Sequence, residues 1–268
     1  GKILDKASTP TPETLEDLLA WLDQRLSERD YRGIAMSVPG AVHQETGVIE
    51  GISAIPYIHG FSWYEALAHH KLPVHLENDA NCVGLSELLA HPEIENAACV
   101  VIGTGIGGAM IINGKLHRGR HGLGGEFGYM TTIEPAEKLN NWSQLASTGN
   151  MVRYVIEKSG QSDWNGRKVY QEAAAGNALC QEAIERMNRN LAQGLLNIQY
   201  LIDPDVISLG GSISQNPDFI KGVQKAVDAF VETYEEYTIA PVIQACTYQA
   251  DANLYGALVN WLQEENQW

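Results

Sequence analysis

Apolar positions along this chain keep two rhythms. Leu15, Leu18, Leu19, Leu22 and Leu26 fall at helical spacing behind Thr11-Pro12-Glu13, with acids in the first turn, and predict a helix. Residues 33–38 form a short apolar run closed by Pro39-Gly40, the mark of a buried strand ending in a turn. A second short strand is expected at 48–52 and a helix at 63–70. Residues 73–77 predict a strand that runs into Asn78-Asp79-Ala80-Asn81, and a helix continues to about Ala90. The polar stretch 91–96 breaks the pattern and marks a lobe boundary.

The second half repeats these signals in another order. Residues 97–102 read as a strand, 103–108 as a glycine turn, and 109–112 as a strand closed by Asn113-Gly114, a hairpin signal. A third strand is expected at 115–118, and the glycine-rich stretch 119–128 as a loop. From Ala146 the pattern is helical, with a long helix at 177–202. A strand at 204–209 ends in Gly210-Gly211, a helix covers 217–233, a strand 241–248, and a helix 251–263 closes the chain. Residues 1–6 read like the second strand of a hairpin. No solenoid-length repeat is visible, and hairpins mixed with βα units predict an α/β fold with mixed sheets.

Composition narrows the function classes. At 268 residues the chain suits two linked lobes, and 44% hydrophobic with 19% charged residues is globular. A net charge of -15 disfavours nucleic acid and anionic lipid as partners, but not ATP, whose binding depends on local amides and a metal ion. Cys82, Cys99, Cys180 and Cys246 are scattered singly, as in a protein of the reducing cytosol. No apolar run reaches the ~18 residues of a membrane span, and a cytoplasmic location is expected.

Four constellations carry chemistry, each beside a plainer reading. Gly103-x-Gly105-x-x-Gly108 has the lettering of a dinucleotide fingerprint, but a strand follows it where that motif needs a helix. It is either an ordinary hairpin turn or a loop whose amides and Thr104 hydroxyl hold phosphate. Gly210-Gly211 lets a flat ligand approach the backbone, or is a simple βα turn. At the strand end, Asp79 can accept the proton of an attacking hydroxyl and Asn78 can grip a neighbouring one; alternatively both cap a helix. Glu126, alone among the glycines of 122–128, suits a polyol or faces solvent. The eight histidines have no cysteine partner at zinc spacing and read as structural or solvated. Walker A, Gly-x-Ser-x-Gly and His-Glu-x-x-His patterns are absent.

Together these residues resemble the ROK family of repressors and sugar kinases, most closely over 77–87 and 100–130, where Gly103, Gly105, Gly107, Gly114, Gly119 and Gly124 follow the family's spacing. The resemblance implies a two-lobed, actin-like ATPase (ribonuclease H-like) fold with ATP and sugar between the lobes. The smaller lobe would comprise 1–95 plus 251–268, and the larger 96–250. It further implies ATP-dependent phosphorylation of a hexose, typically at the 6-hydroxyl, with Asp79 as general base and Mg²⁺ accompanying ATP. Gly40, Asn78 and Glu126 would bind sugar; Gly103, Thr104 and Gly105 the phosphates; Gly210 and Gly211 the adenosine. A homodimer is implied as well.

Two departures from the family pattern matter. Tyr129 occupies the position of a zinc-binding histidine, and 131–148 contains no cysteine, so no structural zinc is expected. Ser143 falls near a position that usually supplies a glutamate to the sugar. Tyr129 and Ser143 therefore make a β-glucoside or an acylated amino sugar as reasonable a substrate as glucose. The Asp-x-Gly-Gly-Thr phosphate turn that opens family kinases is not in the sequence; the expectation is that roughly 20 residues precede the present start. The alternatives are the sugar-sensing lobe of a ROK-type transcriptional regulator, and a catalytically inert lobe. The acidic charge argues against the regulator, and the intact Asp79, Glu126 and glycine turn against the inert lobe.

Overall fold

The computed structural model describes residues 2–133 and 139–268. In chain order the elements are α1 (Leu15–Leu26), β1 (Ile34–Val38), the hairpin β2 (Ala41–His43) and β3 (Val48–Glu50), α2 (Trp63–Leu67), β4 (Val74–Asn78) and α3 (Asp79–Ala90). Then come β5 (Ala97–Ile102), β6 (Ile106–Ile112), β7 (Lys115–Leu116), β8 (Thr131–Ile133), β9 (Leu139–Asn141), α4 (Trp142–Ala146), α5 (Thr148–Ser159), α6 (Gly166–Ala174) and α7 (Ala178–Ile202). β10 (Val206–Gly210), α8 (Pro217–Thr233), β11 (Ile243–Ala245) and α9 (Ala252–Glu264) complete the order.

Two sheets organise the site. β1 and β4 pair in parallel, so Val38 lies opposite Asn78. The larger sheet runs β11-β10-β5-β6-β7: parallel across its first three strands, antiparallel across the rest. The mixed sheet expected from the hairpin and βα signals is therefore present. Each sheet has its own apolar core. Ile34, Ile49, Trp63, Leu67 and Leu76 form one, covered by the leucine stripe of α1. The other joins Val100 and Ile102 to Leu191 and Leu195 of α7 and to Phe219 and Val223 of α8.

Between these cores runs α3. Residues 80–88 are all buried, which a helix tolerates only when it is apolar on every side or its polar groups are paired. α9 crosses it at Gly256, where a Cβ would stand 1.7 Å from the Cys82 carbonyl oxygen, so only glycine permits the approach.

Several expected strands are shorter or absent. Residues 2–6 form none, and Gly1 lies outside the described residues; Lys6 is held instead by Asp251 (2.6 Å) and Asp5 by Arg29 (2.8 Å). The strand from Val48 stops at Glu50, because Gly51 turns to φ +89°. The strand from Lys115 covers two residues before Arg118 leaves the edge to reach Glu77. The helix from Trp63 ends at Leu67 and a tighter turn covers Ala68–His70, closed by Lys71 in the left-handed region. The four cysteines are free and buried. No helix among the described residues is long and apolar enough to cross a membrane.

Candidate active site

A cleft of about 640 Å³ gathers every predicted site residue except Gly210 and Gly211. Its floor is the β4–α3 junction. Asn78 caps α3, its Oδ1 accepting the N–H groups of Ala80 (2.9 Å) and Asn81 (3.1 Å). Capping and ligand binding are thus not alternatives here. The Asn78 amide also donates to the Gly40 carbonyl at 3.1 Å, which leaves one amide hydrogen for a hydroxyl. Gly40 sits at φ +106°, with a Cβ position 2.8 Å from the Glu50 carbonyl oxygen, so its contribution is a backbone that fixes Asn78.

Asp79 opens the first turn of α3 and accepts the Ala80 N–H at 2.9 Å. Burial raises its pKa, and the hydrogen bonds from Ala80 and Asn78 offset only part of that. Glu126 lies across the cleft before the short turn Phe127–Tyr129. Burial raises its pKa too, and the neighbouring charge of Asp79 adds to the effect. The cleft therefore holds two carboxylates with raised proton affinity, the condition that makes a carboxylate a stronger base.

The opposite wall is the β5–β6 turn. Ile102 pairs with Ile106, so Gly103, Thr104 and Gly105 form a three-residue bend and not the start of a helix. The dinucleotide reading is excluded by this geometry. The bend rests on the N-terminus of α5: the Gly149 N–H donates to the Gly103 carbonyl at 3.1 Å, and a Cβ at Gly149 would lie 2.5 Å from the Thr104 carbonyl oxygen. A helix N-terminus beneath an amide-lined turn favours negative charge.

Ser143, at the start of α4, does more than line the cleft. Its Oγ accepts the Ile106 N–H (2.9 Å) and donates to the Ile106 carbonyl (3.2 Å). It stands where a Cβ on Gly128 would come, 2.3 Å away, and so ties the glycine turn to the Glu126 loop. Tyr129 is 71% exposed and lies at the mouth. Gly210 ends β10 and Gly211 follows it; Gly211, at φ +90°, packs against the Ile102 carbonyl. The residue after them, Ser212, borders a separate cavity of about 840 Å³ with Thr148, Gly166 and Tyr170.

The sequence reading missed Glu50, Ile52, Leu123, Asn141 and Asn253, all of which line the cleft. Ile52 is 96% exposed beside Gly51, and an apolar residue at a glycine-marked loop tip is the signal that could have found it.

Known proteins match this geometry along almost the entire chain. The sequence pattern of the ROK family matches residues 2–264. The beta-glucoside kinase of Listeria monocytogenes serovar 1/2a is 34% identical over 274 residues, covering 99% of this chain and 91% of that protein. The crystal structure of a ROK family protein from Streptococcus pneumoniae TIGR4, in complex with sucrose, is 88% identical with a TM-score of 0.97, covering 100% of this chain and 93% of that one. The ROK hexokinase of Thermus thermophilus is 26% identical with a TM-score of 0.82, over 96% and 90% of the two chains. The expected actin-like α/β architecture, with mixed sheets and a cleft between lobes, is the fold observed. On the family match and these relatives, the chain belongs to the ROK family.

Proposed function

We propose that this chain is a sugar kinase whose Asp79 deprotonates a hydroxyl, the 6-hydroxyl, of a hexose or hexose glycoside for attack on the γ-phosphorus of ATP. A new O–P bond forms on the sugar, the bond from the γ-phosphorus to the bridging oxygen breaks, and ADP leaves. The reading is carried by one observation: Asp79, Glu126 and the amide-lined bend at Gly103–Gly105 face one cleft. Phosphoryl transfer asks mainly for positioning and charge neutralisation, and this set supplies both.

Each residue then has a task. Asn78 and Glu126 hold hydroxyls adjacent to the one that reacts. Gly103, Thr104 and Gly105 meet the phosphates, backed by the first turn of α5. The cavity bordered by Ser212, one residue beyond Gly211, takes the adenosine. Mg²⁺ accompanying the nucleotide would neutralise phosphate charge, and the Thr104 hydroxyl beside the bend is a hard oxygen donor that would suit it. The lobes are 1–95 plus 251–268 and 96–250, a division supported by the packing of α9 on β1 and β4. Closure of the lobes over the cleft would exclude water from the transfer.

The mouth points to a glycoside. Ile52, Leu123 and Tyr129 are exposed apolar or aromatic side chains on its rim, 96%, 56% and 71% exposed. A bare hexose gives such a rim nothing to cover, whereas the aglycone or second ring of a β-glucoside would. The decisive assay is ATP-to-ADP turnover with Mg²⁺ across hexoses, amino sugars and β-glucosides, beside Asp79→Asn. Sugar-dependent turnover lost in that variant is expected. Sugar binding with no turnover for any sugar would overturn the kinase reading in favour of a sensor.

A further inference from the structure

Outside the cleft, three side chains converge in a way the kinase reading does not use. Asp23 projects from α1, and His69 and His70 sit in the tight turn after α2. His70 Nε2 is 2.8 Å from Asp23 Oδ1, and His69 Nε2 is 3.1 Å from the same oxygen. The two rings lie with centroids 4.1 Å apart, tilted by 39°. All three ligand atoms are within 4.8 Å of one another. Consecutive residues in a tight helical turn ordinarily diverge by over a quarter of a circle. Here both imidazoles turn back toward one carboxylate.

We propose that Asp23, His69 and His70 form a site for a divalent transition-metal cation of the zinc class. Two imidazole nitrogens and one carboxylate oxygen are borderline ligands, suited to Zn²⁺, Co²⁺ or Ni²⁺ and poorly suited to Mg²⁺. The two ring-to-carboxylate separations, 2.8 and 3.1 Å, are a little shorter than the roughly 3.3 Å between neighbouring ligands of a tetrahedral zinc ion, so a cation can replace the protons now shared between the rings and Oδ1 with a small outward shift of the side chains. The His70 side chain is only 15% exposed and is held in place, while His69, 56% exposed, leaves a path from solvent. Three protein ligands leave the remaining position to water.

The ion would tie α1 to the turn that leads into β4, the strand ending in Asn78. This site is separate from the family zinc position at Tyr129 and independent of the proposed transfer chemistry. For the two histidines concerned it replaces the structural or solvated role assigned from sequence.

The test uses untagged, chelator-treated whole protein. Equilibrium dialysis against micromolar Zn²⁺, and a titration with Co²⁺ followed by its visible absorption, should give one equivalent bound. Millimolar Mg²⁺ should not displace it. Asp23→Asn, His70→Gln and His69→Gln should each weaken binding by about tenfold or more, and Zn²⁺ should raise the melting temperature of the parent but not of the variants. His69→Gln changes an exposed ring, so its fold survives, as far-UV circular dichroism would verify. Absence of Zn²⁺ binding at micromolar concentration, or binding undiminished in all three variants, would overturn the proposal.

Discussion

Arg118 Nε stands 2.6 Å from Glu77 Oε2, joining the loop after β7 to the end of strand β4 immediately before Asn78 and Asp79. Glu77 is buried at 1% exposure, and its other oxygen accepts the Asn78 N–H (2.8 Å) and the Asn81 amide (2.9 Å). Arg118 continues to Asn260 of α9 at 2.7 Å. One buried carboxylate thus fixes the backbone of the residue before the proposed base and is itself neutralised by a cation from the loop after β7.

Removing Arg118 should therefore cost more than a surface ion pair. Arg118→Met leaves Glu77 charged and buried without its cation, a change of about 3–5 kcal/mol. Glu77→Gln with Arg118→Met should recover part of the loss, because the stranded charge is gone. Urea denaturation of the two single variants and the double variant measures the coupling. Additive losses would mean that the pair contributes nothing beyond its separate packing.

Asp79→Asn should separate activity from stability. Loss of a general base lowers kcat by about 10²–10⁴-fold. Stability should move the other way. Burial raises the Asp79 pKa, so folding disfavours its charged form. That contribution is absent below the unfolded pKa, where the group is protonated in both states, and destabilises progressively as pH rises through the range between the unfolded and the raised folded pKa. At neutral pH the amide should melt higher than the parent, and the difference should vanish in acid. Thermal melts of both proteins across the acid range test this, and a lower melting temperature for the variant at neutral pH would contradict it.

The pH profile of kcat/KM follows from the same group. If Asp79 is the base, turnover needs it ionised, and activity should fall as pH drops through an inflection above the ordinary aspartate range. Glu126, raised by burial and by the Asp79 charge, titrates beside it. Glu126→Gln should raise the KM for sugar while the acidic inflection survives. Loss of that inflection in Glu126→Gln would assign it to Glu126 instead.

Much of this was legible from sequence because it is local. The strand end at Glu77, the glycine bend at 103–105 and the leucine stripe of α1 each declare themselves within a few residues. What was not legible depends on pairing across distance. The segment 2–6 has strand-like composition, but strand formation requires a partner and sequence shows none. Nothing near Ser143 announces that it holds Ile106 by both backbone groups, 37 residues away. The convergence of Asp23 with His69 and His70 spans 46 and 47 positions and escaped for the same reason.

A glycine of the site and a glycine of the core differ by what surrounds them. A Cβ on Gly103 would meet nothing within 4 Å, whereas on Gly256 it would strike the Cys82 backbone at 1.7 Å. Gly103→Ala should leave the melting temperature essentially unchanged and, if the phosphates lie against the bend, raise the KM for ATP, because the added methyl enters open space there. Gly256→Ala should cost about 1–3 kcal/mol or more by forcing α9 off α3. Melts and ATP kinetics on the two variants distinguish a ligand glycine from a packing glycine, and equal destabilisation would remove the distinction.

The rim residues give the sharpest test of substrate class. Ile52 is almost fully exposed, so Ile52→Ala should be neutral to the fold. If an aglycone packs there, the variant forfeits about 1.5 kcal/mol of apolar burial, which corresponds to about a tenfold rise in KM for a β-glucoside. Tyr129→Ala should behave alike through loss of its ring. Glucose, which on this reading would end before the rim, should be affected by neither. Steady-state kinetics with glucose and with an aryl β-glucoside on each variant reads this out as a ratio of ratios, independent of enzyme concentration. An equal rise for both sugars would place Ile52 against the hexose itself and remove the argument for a glycoside.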